Sequence, residues 1–255
     1  MDIQSAKVLV TGGGSGMGRS FTLSLARLGA SVAFCDLSQE AVDATLAEAR
    51  GLPGAVAGFI ADVSKEEDVV RLIKDAAEAL GGLNGLINNA GIFRDGLLIK
   101  PDKATGTVKR MTLAQWNAVI AVDLTGPFLC AREFAAHCVE TGTNPAVIVN
   151  LSSVSRHGNQ GQSNYSAAKA GLVADTKLWS QELARYGIRV GAIAPGFIDT
   201  PILQGMRPEV LEGVLKAVPL RRAGTADEIF LAVKFIFECD YFTGRCLDVD
   251  GGLVL

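Results

Sequence analysis

Lys7-Val8-Leu9-Val10-Thr11-Gly12-Gly13-Gly14-Ser15-Gly16-Met17-Gly18 opens the chain with an apolar run, a glycine-rich turn and then a helix-periodic segment through Phe21 to Leu28. Glycines at such a junction permit a tight turn and let backbone N–H groups and the positive end of a helix approach a pyrophosphate. A glycine-rich turn alone is weak evidence for a nucleotide. The succession of strand, turn, helix and second strand gives it weight. Further runs rich in Val and Ile, at 31–36, 55–62, 83–88, 146–151 and 188–194, alternate with longer helix-periodic segments. Their continuous hydrophobicity suits strands covered on both faces. The expected fold is therefore α/β, a doubly wound parallel sheet flanked by helices, with ligands at the carboxyl ends of the strands.

Asp36 closes the second of these runs, 18 residues beyond Gly18. A carboxylate there accepts hydrogen bonds from the ribose hydroxyls of an adenosine and repels a 2′-phosphate. Ser15, Leu37 and Ser38 supply no cation to neutralise that phosphate, so charge favours NAD over NADP. Arg19, on the first helix, is within reach of a phosphate but reads more simply as a surface residue. Asp36 has a second reading, as the N-cap of the following helix, and the two are compatible.

The remaining composition excludes several classes. With 255 residues, 49% hydrophobic content, 20% charge and a net charge of −3, the chain reads as one ordinary globular domain with a large core, not a polyanion binder. Nucleic acid is not an expected partner. The start of the chain has no basic, apolar and small-residue leader, and no apolar stretch reaches about 18 residues, so no membrane association and a cytoplasmic location are expected. Five scattered cysteines, Cys35, Cys130, Cys138, Cys239 and Cys246, lack Cys-x-x-Cys spacing and read as buried reduced thiols. His137 and His157 are the two histidines, too few for a His-rich metal site, and neither lies in a motif for Ser-His-Asp hydrolysis.

Tyr165 and Lys169 stand four apart in Asn164-Tyr165-Ser166-Ala167-Ala168-Lys169 and project from one face of a helix. A phenol titrates near pH 10 in water, and a cation beside it favours the phenolate and is expected to bring its pKa toward working pH. The pair follows an apolar strand that ends in Asn150-Leu151-Ser152-Ser153. A different feature, residues 100–110, combines Pro101, Gly106 and four basic residues against one acid, which suggests an exposed hairpin or loop.

Taken together, these motifs resemble the short-chain dehydrogenase/reductase family, a Rossmann-type fold, almost end to end. Beside the Thr11 to Gly18 loop and the Tyr165/Lys169 pair stand Asp62-Val63, Asn88-Asn89-Ala90-Gly91 and Pro195-Gly196 after the third, fourth and sixth strands. Gly91-Ile92-Phe93-Arg94-Asp95, Gly161-Gln162-Ser163-Asn164-Tyr165 and Asp248-Val249-Asp250-Gly251-Gly252 are most similar to the 3-oxoacyl-carrier-protein reductase-like branch. The resemblance implies a dinucleotide held by Gly12, Ser15, Gly16, Met17 and Gly18, with Asp36 on the ribose and Asp62 and Val63 at the adenine. It also implies that Asn88 steadies the sheet and that Asn89, Ala90 and Gly91 lie near the nicotinamide ribose. Lys169 joins them there, and Pro195, Gly196, Ile198 and Thr200 lie at the carboxamide and a phosphate. The implied catalytic groups are Tyr165, Lys169 and a serine. A spacing of 13 residues before the tyrosine selects Ser152, whereas the strand through Asn150 selects Ser153. Ser153 is preferred because a rigid strand end fixes a hydroxyl better than a loop fixes its own length.

Asp123 departs from the pattern, since relatives commonly place an Asn there to kink the helix and hold a water that leads from the lysine to solvent. An Asp at this position is expected to orient a water still, while its charge pairs with Lys169 and weakens the cation's pull on Tyr165. The expected function is hydride transfer between NAD(H) and a carbonyl or secondary alcohol. The alternatives are an NADPH-dependent 3-oxoacyl-carrier-protein reductase and a non-catalytic nucleotide-binding sensor. Phe93, Leu203, Met206, Leu211, Val214 and Leu215 read as an apolar wall with a lid around 200–220, or simply as core. Lys100, Lys103, Lys109 and Arg110 suit an acidic carrier or acyl thioester, or a solvated loop. Small residues at Ala167, Ala168, Ala170 and Gly171 permit close helix contact, and the resemblance implies a homotetramer.

Overall fold

In the computed structural model of the chain, residues 1–200, 203 and 208–253 are described. Strands β1 (Lys7–Thr11), β2 (Ser31–Asp36), β3 (Val56–Ile60) and β4 (Gly85–Asn88) alternate with helices α1 (Gly16–Arg27), α2 (Gln39–Glu48) and α3 (Glu66–Leu80). An antiparallel hairpin, β5 (Ile99–Pro101) and β6 (Val108–Arg110), follows, then α4 (Leu113–Ile120), a π-helical turn (Ala121–Thr125) and α5 (Gly126–Thr141). The chain continues through β7 (Ala146–Leu151), α6 (Ser163–Leu183), β8 (Ile188–Pro195), α7 (Pro208–Ala217), α8 (Ala226–Glu238) and β9 (Cys246–Val249).

Seven strands form one parallel sheet in the order β3-β2-β1-β4-β7-β8-β9, the doubly wound arrangement expected. Successive side chains of a strand point to opposite faces, and here both faces are dry. Val8 and Val10 of β1, with Val147 and Val149 of β7, pack against Phe21 and Leu25 of α1 and Ile236 and Phe237 of α8. Leu9 and Ile148, on the other side, meet Leu72 and Ile73 of α3 and Phe134 of α5. The helices end where their sequences dictate. Glu66, Glu67 and Asp68 complement the positive end of α3, and Gly81 ends it in a left-handed conformation. Capping boxes at Thr112/Gln115 and Thr225/Glu228 start α4 and α8.

Three boundaries differ from the sequence expectation, and one strand is additional. The third strand is Val56–Ile60, the fourth starts at Gly85, and the sixth of the expected runs extends to Pro195. Leu83 and Asn84 lead into β4 because the Asn84 side chain accepts the Lys7 N–H at 2.8 Å and its own N–H donates to the Lys7 carbonyl. The additional strand, β9, is a four-residue edge whose side chains are at most half-buried, so it lacks the apolar run that marks the others. Residues 100–110 form the exposed hairpin. Cys35, Cys130 and Cys138 are buried free thiols, whereas Cys239 and Cys246 are only half-buried, a correction to the expectation for those two. Among the described residues, no helix is long and apolar enough to cross a membrane.

Phe134 is fully buried between α5 and the sheet. Phe134→Ala is expected to lower unfolding stability by about 3–5 kcal/mol through lost burial and a cavity. Chemical denaturation would read this as a lower midpoint at unchanged slope; a midpoint within error of wild type would show that this face of the sheet is not the tightly packed core described.

Candidate active site

The strand order reverses between β1 and β4, which opens a crevice at their carboxyl ends. A cleft of about 600 Å³ runs from there across the ends of β7 and β8. Gly12, Ser15, Gly16 and Met17 line one end. Ser15 caps α1 without a side-chain hydrogen bond, so the first N–H groups of that helix have no intrahelical acceptor. Gly18 does not line the cleft but lies beneath the turn, where a Cβ would sit 2.1 Å from the Gly12 carbonyl oxygen. The missing side chain lets α1 approach the loop at the place where the expected dinucleotide contact falls. The loop therefore meets the requirement for a pyrophosphate cradle in both shape and donors.

Asp36 lies at the same end, its Oδ2 accepting the Gly14 N–H at 3.1 Å and its Oδ1 the Ser38 N–H at 3.2 Å. A Cβ on Gly14 would stand 2.7 Å from that carboxylate, so the close approach requires glycine. Ser38, not Asp36, is the N-cap of α2, accepting the Ala41 N–H. Arg19 is paired with Glu48 at the surface, in keeping with the simpler reading. Asp62 and Val63 line the adjoining wall, with the Asp62 carboxylate accepting from both the N–H and the hydroxyl of Ser64.

The floor is formed by Asn89, Ala90 and Gly91. Asn89 ties β4 to the glycine loop by donating from its side chain to the carbonyls of Thr11 and Gly12 at 3.0 and 3.3 Å. Asn88 points away, donating to Asn150 and to the Pro127 carbonyl within the core. Pro195, Gly196, Ile198 and Thr200 line the opposite side. Leu203 and Phe93 of the expected apolar wall line the cleft, whereas Leu211 and Leu215 are half-buried on α7 and do not. Met206 and the side chain of Val214 lie outside the described residues.

Ser153, Tyr165 and Lys169 converge at the far end. Lys169 is buried, with its Nζ 5.4 Å from the centre of the Tyr165 ring and donating to the Leu151 carbonyl at 3.0 Å. The Phe93 ring packs on Tyr165 with centroids 4.6 Å apart. The two serines are now distinct: the Ser152 hydroxyl is committed to the Lys169 carbonyl at 2.8 Å, while Ser153 stands nearer the solvent side and accepts the Ser155 N–H. This arrangement favours Ser153, whose hydroxyl meets that of Tyr165, as the serine placed to meet a ligand.

Asp123 lies in the π-helical turn, fully buried, under the cleft and not along its lining. Its Oδ1 accepts the Ile92 N–H at 2.9 Å and its Oδ2 stands 3.2 Å from Lys169 Nζ. The expected pairing with the lysine is therefore present. Burial pushes the Asp123 carboxyl above its ordinary value, and the Lys169 charge and the Ile92 N–H offset this only in part. Burial alone would depress Lys169, but the charges of Asp123 and Tyr165 outweigh it and hold the amine above its usual range. Tyr165 is raised, not lowered as the sequence led us to expect. Burial dominates, and the Lys169 charge and the Ser153 hydroxyl, which favour the phenolate, are opposed by Asp123 and Asp95.

Sequence reasoning missed a polar chain at the open end, where Asn159 donates to Gln162 and Gln162 donates to Asp95 at 3.1 Å, all three lining the cleft. Gln162 directly precedes α6, and its place just before the helix that carries Tyr165 was the available signal. It also missed Asn164, which donates to the carbonyls of Arg94 and Gln115 and so pins the start of α6.

The enoyl-(acyl carrier protein) reductase family model matches residues 12–254. The chain is 37% identical over 258 residues to the 3-oxoacyl-[acyl-carrier-protein] reductase FabG of Thermotoga maritima, with 100% of both chains covered. It is 36% identical to the (3R)-3-hydroxyacyl-CoA dehydrogenase of Canis lupus familiaris, covering 99% of this chain and 98% of that protein. The crystal structure of levodione reductase superposes with a TM-score of 0.85 at 33% identity, covering 98% of this chain and 97% of the other.

Gly18→Ala is expected to weaken binding of a reduced nicotinamide dinucleotide at least about tenfold, or about 1.4 kcal/mol, because the methyl group has no room against the Gly12 carbonyl. Fluorescence titration measures it, and an unaltered Kd would mean that the loop geometry is not what admits the dinucleotide.

Proposed function

The chain belongs to the short-chain dehydrogenase/reductase family, in its 3-oxoacyl-carrier-protein reductase-like branch, and from that premise we propose that it interconverts 3-oxoacyl and 3-hydroxyacyl thioesters with NAD(H). The family makes it an oxidoreductase of carbonyl or hydroxyacyl substrates. The observation that carries the reading is the meeting of Ser153, Tyr165 and Lys169 in the same cleft as the glycine loop and Asp36. A thioester is favoured by the printed activities of relatives matched along their whole lengths, which act on acyl-carrier-protein or CoA derivatives. The exposed cations Lys100, Lys103, Lys109 and Arg110 on the β5–β6 hairpin are suited to the anionic handle of such a substrate.

A nicotinamide dinucleotide, when bound, supplies or accepts the hydride. Gly12, Ser15, Gly16 and Met17 would hold its pyrophosphate, Asp36 and Asp62 its adenosine, and Ala90, Gly91 and Lys169 its second ribose, with Ile198 and Thr200 near the carboxamide. Tyr165 gives its proton to the carbonyl oxygen in reduction and takes it back in oxidation. Ser153 donates a hydrogen bond to the oxygen as negative charge gathers there. Phe93 and Leu203 limit the access of water from one side, and the lid expected around 200–220 lies partly outside the described residues. Exposed Ala167 and Ala170 on α6, with exposed Phe128 on α5, favour self-association, which we take to be a homotetramer.

Asp36 favours NAD, because its carboxylate is already fixed against the loop by the Gly14 N–H and a 2′-phosphate would meet that charge. Initial rates on acetoacetyl-CoA and on simple ketones and diketones, each with NADH and NADPH, test both parts. Faster turnover of the thioester with NADH is the expected outcome; a preference for NADPH would overturn the cofactor assignment, and activity confined to unactivated ketones the substrate class. Tyr165→Phe should lower kcat by about 10²–10⁴ with NADH affinity preserved. Ser153→Ala should lose about 10²–10³ where Ser152→Ala acts chiefly on stability, and the reverse ranking would reassign the serine.

A further inference from the structure

Lys169 is the cation that Tyr165 faces, yet that cation has a buried counter-ion of its own. Asp123 is fully buried, its Oδ2 lies 3.2 Å from Lys169 Nζ, and that oxygen accepts no hydrogen bond from any other group among the described residues. Its partner oxygen is held by the Ile92 N–H at 2.9 Å, so the carboxylate cannot swing away from the amine without losing a buried bond. A Cβ on Gly91 would stand 2.7 Å from the same Oδ2, which leaves no room for a larger residue between the pair and the cleft floor. The groups facing the phenol from the packed elements are then Lys169 on its own helix, Asp123 from the π-helical turn, Asp95 from the loop after β4 and Ser153 from the end of β7. Two of these are anionic and one is cationic.

We propose that Asp123 is a positioning residue that serves as the permanent counter-ion of Lys169 and thereby keeps Tyr165 a phenol through neutral pH, so that proton removal from an alcohol gains speed only as the pH climbs toward ionisation of that phenol. A lone ammonium beside a phenol favours the phenolate, whereas an ammonium paired with a carboxylate presents nearly no net charge. The tyrosine hydroxyl is then a ready donor, and alcohol oxidation must wait for the higher pH at which it ionises. The inference rests on the proposed role of Tyr165 for its consequence in turnover, but not for the ionisation itself.

The ionisation is measurable without substrate or cofactor. The chain has three tyrosines, of which Tyr241 is fully exposed and Tyr186 partly exposed, so subtracting the tyrosinate absorbance of Tyr165→Phe isolates the third. In the wild-type chain Tyr165 should ionise after the other two, or only as the chain unfolds; ionisation before them would overturn the proposal with no further variant. In Asp123→Asn, checked for folding by circular dichroism, Tyr165 should ionise about one to two pH units lower than in the wild type. An unchanged titration would reduce Asp123 to a structural role. With any thioester pair that the wild type turns over, Asp123→Asn should raise oxidative kcat/KM near neutrality about tenfold for each pH unit of that displacement. Equal oxidative and reductive pH profiles in the two proteins would also overturn it, whereas failure to find any substrate would count against the thioester reading and leave the absorbance result to decide this one.

Discussion

Two reciprocal hydrogen bonds join α6 to the end of β7, and the positions of Tyr165 and Lys169 follow from them. The Ser152 hydroxyl donates to the Lys169 carbonyl at 2.8 Å, and the Lys169 ammonium donates to the Leu151 carbonyl at 3.0 Å. Both lie in the dry interior, where an unmade bond costs about 1–3 kcal/mol, so α6 cannot slide along β7 without a penalty at each end. Tyr165, one turn earlier on the helix, is then fixed against Phe93 and beside Ser153. Asn164 completes the constraint by holding the helix start to the carbonyls of Arg94 and Gln115.

The opposite end of the cleft depends on backbone proximity. β1 and β4 are neighbours whose following segments leave toward opposite faces, and Asn89 bridges them through the Thr11 and Gly12 carbonyls. Thr11 Oγ1 accepts the N–H groups of Asn89 and Ala90 from the same direction. The glycine loop and the floor of the cleft are therefore one hydrogen-bonded unit, with α1 pressed against it because Gly18 has no side chain.

Much of this is legible in the sequence, for physical reasons. A parallel sheet buried on both faces must be written as continuous apolar runs, so β2 and β7 were found to the residue. β9 was not found, because an edge strand that is half-buried and contains Asp248 need not be apolar. The pair Tyr165 and Lys169 was legible from helical spacing, and Asp36 from its place at a strand end. The steric reason for Gly18 was not legible, since sequence spacing does not show that a Cβ there would meet the Gly12 carbonyl. The titration of Tyr165 was misjudged for a related reason. The cation was visible in the sequence, but the depth of burial and the strength of the Asp123 pairing belong to the folded chain.

The charge along the cleft ties the two ends together. Among the described residues that line it, Lys169 is the one cation, against the carboxylates of Asp36, Asp62 and Asp95, and its charge is matched from below by Asp123. An anionic pyrophosphate entering such a cleft gains little from side-chain cations. It must be held by the partial charge and the uncapped N–H groups at the start of α1, which act at contact distance and are lost if the turn opens. The same scarcity of positive charge explains why burial prevails at Tyr165. A single cation, already shared with a carboxylate, cannot offset the cost of creating a phenolate in a dry site, so the balance favours the proton on oxygen.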